Sequence, residues 1–112
     1  MDSQIYLFVY GTLLDQELAE NLVRKRLTYL QAKLYGFEKI NPSERFPYNY
    51  IVPNDCSVVE GMLIQGLDEE SLKILDRYEG VDSGLYKRIK VKISTNQGEI
   101  EAYTYIRGNR FL

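Results

Sequence analysis

Histidine and tryptophan are absent from the chain, cysteine occurs once, as Cys56, and only three prolines interrupt its 112 residues. Without histidine, neither a Ser-His-Asp nor a Cys-His apparatus is possible, and the usual zinc sites lose their imidazole ligands. A lone thiol excludes an intramolecular disulfide, a redox pair and a cysteine-based metal cluster. No cofactor and no metal are therefore expected, and any proton transfer must fall to a carboxylate, a lysine or a tyrosine. Cys56, beside a proline-rich stretch, reads as an inert thiol.

An excess of charge of one sign is missing too. Fourteen lysines and arginines face sixteen aspartates and glutamates, so a net charge of -2 gives no general attraction to phosphate backbones or anionic membranes. Neither nucleic acid nor membrane is an expected partner. The opening Met1-Asp2-Ser3-Gln4 has no basic leader segment, and no stretch approaches the ~20 apolar residues that span a bilayer. These features predict a soluble, cytoplasmic protein. With 45% hydrophobic and 12% aromatic residues, one core can close, and a single domain over residues 1–112 is expected.

Ile5 to Tyr10 is a short apolar run of strand formers, read as a strand buried on both faces and broken by Gly11. From Leu14 the apolar residues Leu14, Leu18, Leu22 and Val23 recur at helical spacing, with Thr12 and Asp15 in a capping relation. Thr28 to Ile40 predicts a bent strand, with a bulge or a close backbone approach at Gly36. Pro42, Pro47 and Pro53 predict an exposed loop from Asn41 to Asp55, with at most a short edge strand around Tyr48 to Val52. Val58 to Gln65 resumes as a strand. Asp68 caps a helix ending at Glu79, with Leu72, Leu75 and Tyr78 inward and Gly80 in the left-handed terminal position. After a Val81 to Gly84 turn, Ile89, Val91 and Ile93 alternate with Arg88, Lys90 and Lys92, and Asn96-Gln97-Gly98 turns a hairpin into Glu99 to Ile106. The pattern predicts an α+β fold, two helices beside a small mixed sheet that curls toward a β-barrel.

Two segments could carry chemistry. Tyr10-Gly11-Thr12-Leu13 joins a buried strand to a helix, where unpaired backbone N–H groups can hold a carboxylate or carbonyl oxygen. The same residues also read simply as a turn and a cap. In Leu75-Asp76-Arg77-Tyr78-Glu79-Gly80 an acid closes a helix, where the dipole, apolar neighbours and Asp76 all raise its pKa toward that of a general base. A solvated acid is the plain alternative, and Asp76 reads as a structural partner for Arg77, Arg88 or backbone N–H groups. The ten tyrosines suit a pocket that orients a polar ligand, although most serve packing. The basic run Lys87, Arg88, Lys90, Lys92 is the wet face of a strand.

Read together, Tyr10-Gly11-Thr12-Leu13, Leu75-Asp76-Arg77-Tyr78-Glu79-Gly80 and the following Leu85-Tyr86-Lys87-Arg88 resemble the gamma-glutamylcyclotransferase-like family, with its YGTL turn, LDxxEG helix end and YxR strand. Phe46-Pro47, Val52-Pro53, Glu60-Gly61 and Ala102-Tyr103-Thr104-Tyr105 extend the resemblance over nearly the whole chain. It implies a small mixed β-barrel flanked by helices, with the turn and the glutamate meeting in a cavity at its mouth. The implied activity is cyclisation of a gamma-glutamyl amine or gamma-glutamyl amino acid to 5-oxoproline. Tyr10, Gly11, Thr12 and Leu13 would bind the glutamyl part, Glu79 would be the general base, and Tyr86 and Tyr105 would line the site.

Strand alternation puts Tyr86 on the face of Arg88 and Lys90, so a pocket role for it requires a bulge or a strand that starts after it. With the chain stopping at Leu112, the Asn41 to Asp55 loop is the expected source of any lid. Two other readings stay open: a non-catalytic small-molecule-binding or protein-interaction module on the same fold, and a hydrolase using Asp76 with Glu79.

Overall fold

Strand-forming runs separated by glycine and proline punctuation give five strands and two α-helices in the computed structural model, which describes residues 4–111. In chain order they are β1 (Ile5–Val9), α1 (Gln16–Val23), β2 (Thr28–Ile40), β3 (Tyr50–Leu67), α2 (Glu69–Tyr78), β4 (Tyr86–Thr95) and β5 (Gly98–Arg107). Met1, Asp2, Ser3 and Leu112, on which the readings of the chain's two ends rest, lie outside the described residues. The strands close into a barrel in the order β1-β3-β2-β4-β5. Neighbouring strands run antiparallel except where β5 returns to β1, with Tyr103 opposite Leu7. No helix among the described residues is long and apolar enough to cross a membrane.

Alternation on β1 decides where the cores lie. Phe8 and Tyr10 join Leu34, Ile51, Val59, Leu63 and Ile93 in a cluster drawn from the strands and the residue that follows β1, which fills the barrel. Leu7 and Val9 point the other way, into a second cluster with Ala19 and Val23 of α1 and Leu75 of α2. Each such fully buried aliphatic or aromatic side chain contributes roughly 1.5–3 kcal/mol. The two clusters fix the helices on one outer face of the barrel.

Three local expectations are corrected. Thr12 does not cap α1: it opens a 3-10 turn, Thr12–Leu14, and Asp15 is the cap, accepting from the Leu18 N–H at 3.2 Å. Leu14 therefore falls before the helix and is exposed. The loop predicted from Asn41 to Asp55 ends early, because β3 runs from Tyr50 straight through Pro53, which pairs with Phe37 just beyond the Gly36 bulge. A proline is tolerated there since β1 pairs only with the Met62–Leu67 end of β3, leaving this half with a ladder on one side.

The third correction concerns α2. Asp68 caps it as expected, accepting from the Ser71 N–H at 2.7 Å, and Leu72 and Leu75 face inward. Tyr78 does not, at 42% exposed. At 3.6 residues per turn Tyr78 stands about 120° from Leu72 around the axis, whereas Glu79, almost two full turns on, lies in line with it. The acid takes the inward place that the apolar stripe prepares.

Gly80 ends the helix at φ +71°, and Gly108, just past β5, packs so tightly on the next turn that a Cβ there would lie 2.2 Å from the Gly84 carbonyl oxygen.

Candidate active site

Five pieces of chain converge where β1 leaves the barrel. The residues just past β1 are Tyr10 and Gly11, the 3-10 turn supplies Thr12 and Leu13, the end of α2 Glu79, and β4 and β5 contribute Tyr86 and Tyr105. With Pro42, Pro47, Tyr48 and Asn49 they enclose a cavity of about 230 Å³. All seven residues singled out from the sequence thus line one space. Thr12 and Leu13 open a single 3-10 turn, not an α-helix, so the segment offers N–H groups without partners inside the turn but no helix macrodipole. The Tyr29 hydroxyl steadies the turn from β2 by donating to the Leu13 carbonyl at 2.7 Å.

Burial pushes the Glu79 carboxyl up to about 7. The expected contribution of Asp76 is absent, because that carboxylate is engaged elsewhere: Oδ2 accepts from Arg88 at 2.8 Å and Oδ1 from the Tyr105 hydroxyl at 2.7 Å. Asp76 does not line the cavity. It is the structural partner anticipated for Arg88, and pairing with Glu79 in hydrolysis is geometrically unsupported.

The three phenols around Glu79 are all held protonated. Burial raises Tyr10, Tyr86 and Tyr105 above the usual tyrosine range, and the nearby Glu79 charge raises each further. Every one donates its proton within the protein: Tyr10 to the Tyr105 carbonyl at 2.5 Å, Tyr86 to the Asn49 carbonyl, and Tyr105 to Asp76. What remains on each oxygen is acceptor capacity, suited to an ammonium or amine.

Tyr86 reaches the cavity without a bulge. The β4–β5 register runs unbroken from Tyr86 opposite Arg107 to Thr95 opposite Gly98. Tyr86, Arg88 and Lys90 do share a face, but its Tyr86 end is buried while Lys90 stands in solvent, and the Arg88–Asp76 pair marks the border. A single strand face is dry at one end and wet at the other.

Phe46 had no assigned role in the sequence reading. It is 1% exposed, and its ring meets those of Tyr50 and Tyr86 edge-on at 5.1 and 5.6 Å. This anchor holds the 41–49 loop against the cavity, so the expected lid segment forms one of its walls. The sequence signal was a large aromatic inside an otherwise polar, proline-bearing loop. Among the described residues, no group of three or more acidic or thiol side chains converges as a metal site requires.

The profile of the family described as "Gamma-glutamyl cyclotransferase, AIG2-like" matches residues 7–111. The chain belongs to that family. It is similar to AIG2-like protein C of Arabidopsis thaliana, 29% identical over 93% of this chain and 59% of that protein. The solution structure of another Arabidopsis thaliana protein superposes with a TM-score of 0.85 at 27% identity, over 98% of this chain and 66% of the other. A solved gamma-glutamyl cyclotransferase superposes with a TM-score of 0.79 at 25% identity, covering 96% and 68%. The chain spans about three fifths of the length of the curated AIG2-like relatives it matches. The α+β barrel flanked by helices is thus the fold of this family.

Proposed function

We propose that the protein is a cyclotransferase that converts a gamma-glutamyl amine or gamma-glutamyl amino acid to 5-oxoproline. The observation that carries this reading is that Glu79 lines the same cavity as the Tyr10–Leu13 turn, where desolvation pushes its carboxyl up to about 7. A general base works best with a pKa near the operating pH, and a carboxylate raised this far meets that condition.

The substrate supplies its own nucleophile. Glu79 takes a proton from the alpha-amine, whose nitrogen attacks the gamma-carbonyl carbon of the same molecule and closes a five-membered lactam. The carbonyl oxygen becomes an oxyanion, held by N–H groups of the Gly11–Leu13 turn. Collapse breaks the bond to the leaving nitrogen, which departs with the proton from Glu79. Neither imidazole nor metal is needed for this sequence, and holding the substrate folded supplies much of the rate. Tyr10 and Gly11–Leu13 bind the glutamyl part, and the oxygens of Tyr86 and Tyr105 orient it as acceptors.

The test is direct. Purified protein is incubated with gamma-glutamyl amines and gamma-glutamyl amino acids, and 5-oxoproline is quantified. Release is expected; none from any compound, with binding retained, would leave the non-catalytic binding module as the better reading.

A further inference from the structure

Of the three buried phenols around Glu79, only Tyr105 has its polarity set by side chains. Tyr10 and Tyr86 donate to backbone carbonyls, which can only accept, so nothing beside them can reverse those bonds. The Tyr105 hydroxyl donates instead to Oδ1 of Asp76 at 2.7 Å, and Oδ2 of the same carboxylate accepts from Arg88 at 2.8 Å. Arg88 and Tyr105 stand opposite one another across β4 and β5, and directly opposed residues share a face of the sheet. Asp76, on the last turn of α2, spans the pair.

Asp76 lies outside the cavity, yet it decides what the cavity offers. Because a carboxylate has no proton to give, the phenol turns its own proton toward Asp76 and away from a ligand. Burial, and after it this hydrogen bond, raises the Tyr105 phenol above the usual tyrosine range, so the proton stays. Only acceptor lone pairs face the ligand. The substrate's alpha-amine needs them: as an ammonium it passes one proton to Glu79, and its remaining N–H groups must be held so that the freed lone pair aims at the gamma-carbonyl.

We propose that Asp76, fixed by Arg88, is a positioning residue that acts through Tyr105, keeping the phenol proton out of the cavity and presenting the oxygen to the alpha-amine. This rests on the cyclotransferase reading. It makes Asp76→Asn more than the loss of a charge. Arg88 only donates, so it claims the amide oxygen and leaves the amide NH2 facing Tyr105. The hydrogen bond then reverses, and the phenol proton swings into the cavity, where it opposes the ammonium.

The test compares kcat/KM for 5-oxoproline release, with the gamma-glutamyl compound turned over fastest, at a temperature where circular dichroism finds every variant folded. Asp76→Asn is expected to lose at least about tenfold, the size of a hydrogen bond to a charged group. Adding Arg88→Met should restore the rate to within about threefold of wild type, because the freed amide can turn its oxygen back to the phenol. In Tyr105→Phe protein, adding Asp76→Asn should change the rate by no more than about twofold. A role in folding alone gives the reverse on both counts, a deeper loss with Arg88→Met and an undiminished one beside Tyr105→Phe; either result overturns the assignment. If wild type releases no 5-oxoproline from any compound, the cyclotransferase reading fails, and titration calorimetry judges Asp76 separately. Asp76→Asn should then weaken gamma-glutamylmethylamine about tenfold and leave N-methylglutaramate, which lacks the alpha-amine, within about twofold. Equal changes in both, or no binding of gamma-glutamylmethylamine to wild type, overturn it.

Discussion

The two ends of α2 carry the same functional group in opposite circumstances. At the N-terminus the Asp68 carboxylate accepts the Ser71 N–H, and that bond, with a lesser contribution from Lys25 at 3.5 Å, holds it below the usual carboxylate range. At the C-terminus Glu79 is half-buried, no lysine or arginine among the described residues lines its cavity, and desolvation pushes its carboxyl up to about 7. The first arrangement follows the helix's own electrostatics and stabilises it; the second opposes them and stores a cost in the folded state. One helix thus separates an acid that serves the fold from the acid to which the proposed chemistry falls.

Neutralising the two acids in turn is the sharpest way to break that contrast. Glu79→Gln should lower kcat/KM for 5-oxoproline release by about 10³-fold, within the range expected for loss of a general base, while Asp68→Ala leaves it within about twofold. Equal losses in steady-state assays would erase the distinction. Next in size is the pH profile. As the proposed base Glu79 would work as the carboxylate, so kcat/KM should fall as pH falls through its value near 7, by about 100-fold at two pH units below it.

Stability should move the opposite way. Because the folded-state pKa of Glu79 lies above its unfolded value of 4.5, its burial is free of cost below that pH and becomes destabilising as pH rises through about 7. Glu79→Gln should therefore be more stable than wild type by about 2–3 kcal/mol at pH 8, with the difference gone near pH 4. Urea titrations at the two pH values check this.

Asp76→Asn, one turn before Glu79, removes the charge that pairs with Arg88 and should cost about 1–3 kcal/mol in the same assay, since a part-buried guanidinium is left without its partner. The smallest effect belongs to Asp68. Its lowered pKa means that its stabilisation is present above the unfolded value of 3.8 and lost as pH falls through the folded one. Asp68→Ala should lower the melting temperature by a few degrees at pH 7, and by less in strong acid.

Where residue type alone determines the local structure, the sequence was readable. Asp68 before an apolar stripe and Gly80 after it bounded α2, and Gly36 announced a bend in β2; that Tyr10 and Glu79 share one place was implied by the family resemblance that the ordered YGTL and LDRYEG segments carry. Legibility failed where a distant contact decides. Pro53 looked like a loop residue because the sequence does not reveal that its part of β3 has a single neighbour. Thr12 and Asp15 both qualify as caps, and tertiary packing of Leu13 selects the later one. Tyr78 was assigned inward by its ring, although helical phase favours Glu79, an inference open to anyone who lets geometry outrank hydrophobicity. The Phe46 anchor depends on Tyr50 and Tyr86 arriving from elsewhere, which no local pattern encodes.

Gly108 does not line the cavity, yet its backbone fills the space in which Gly84 rests. Any side chain at that position must drive the Gly84 carbonyl away, and Leu85 and the turn behind Glu79 would travel with it. A lesion there would surface as a kinetic defect with every ligand-facing residue intact. The place to look for such silent damage is the rear of the acid, where the last strand of the barrel braces it.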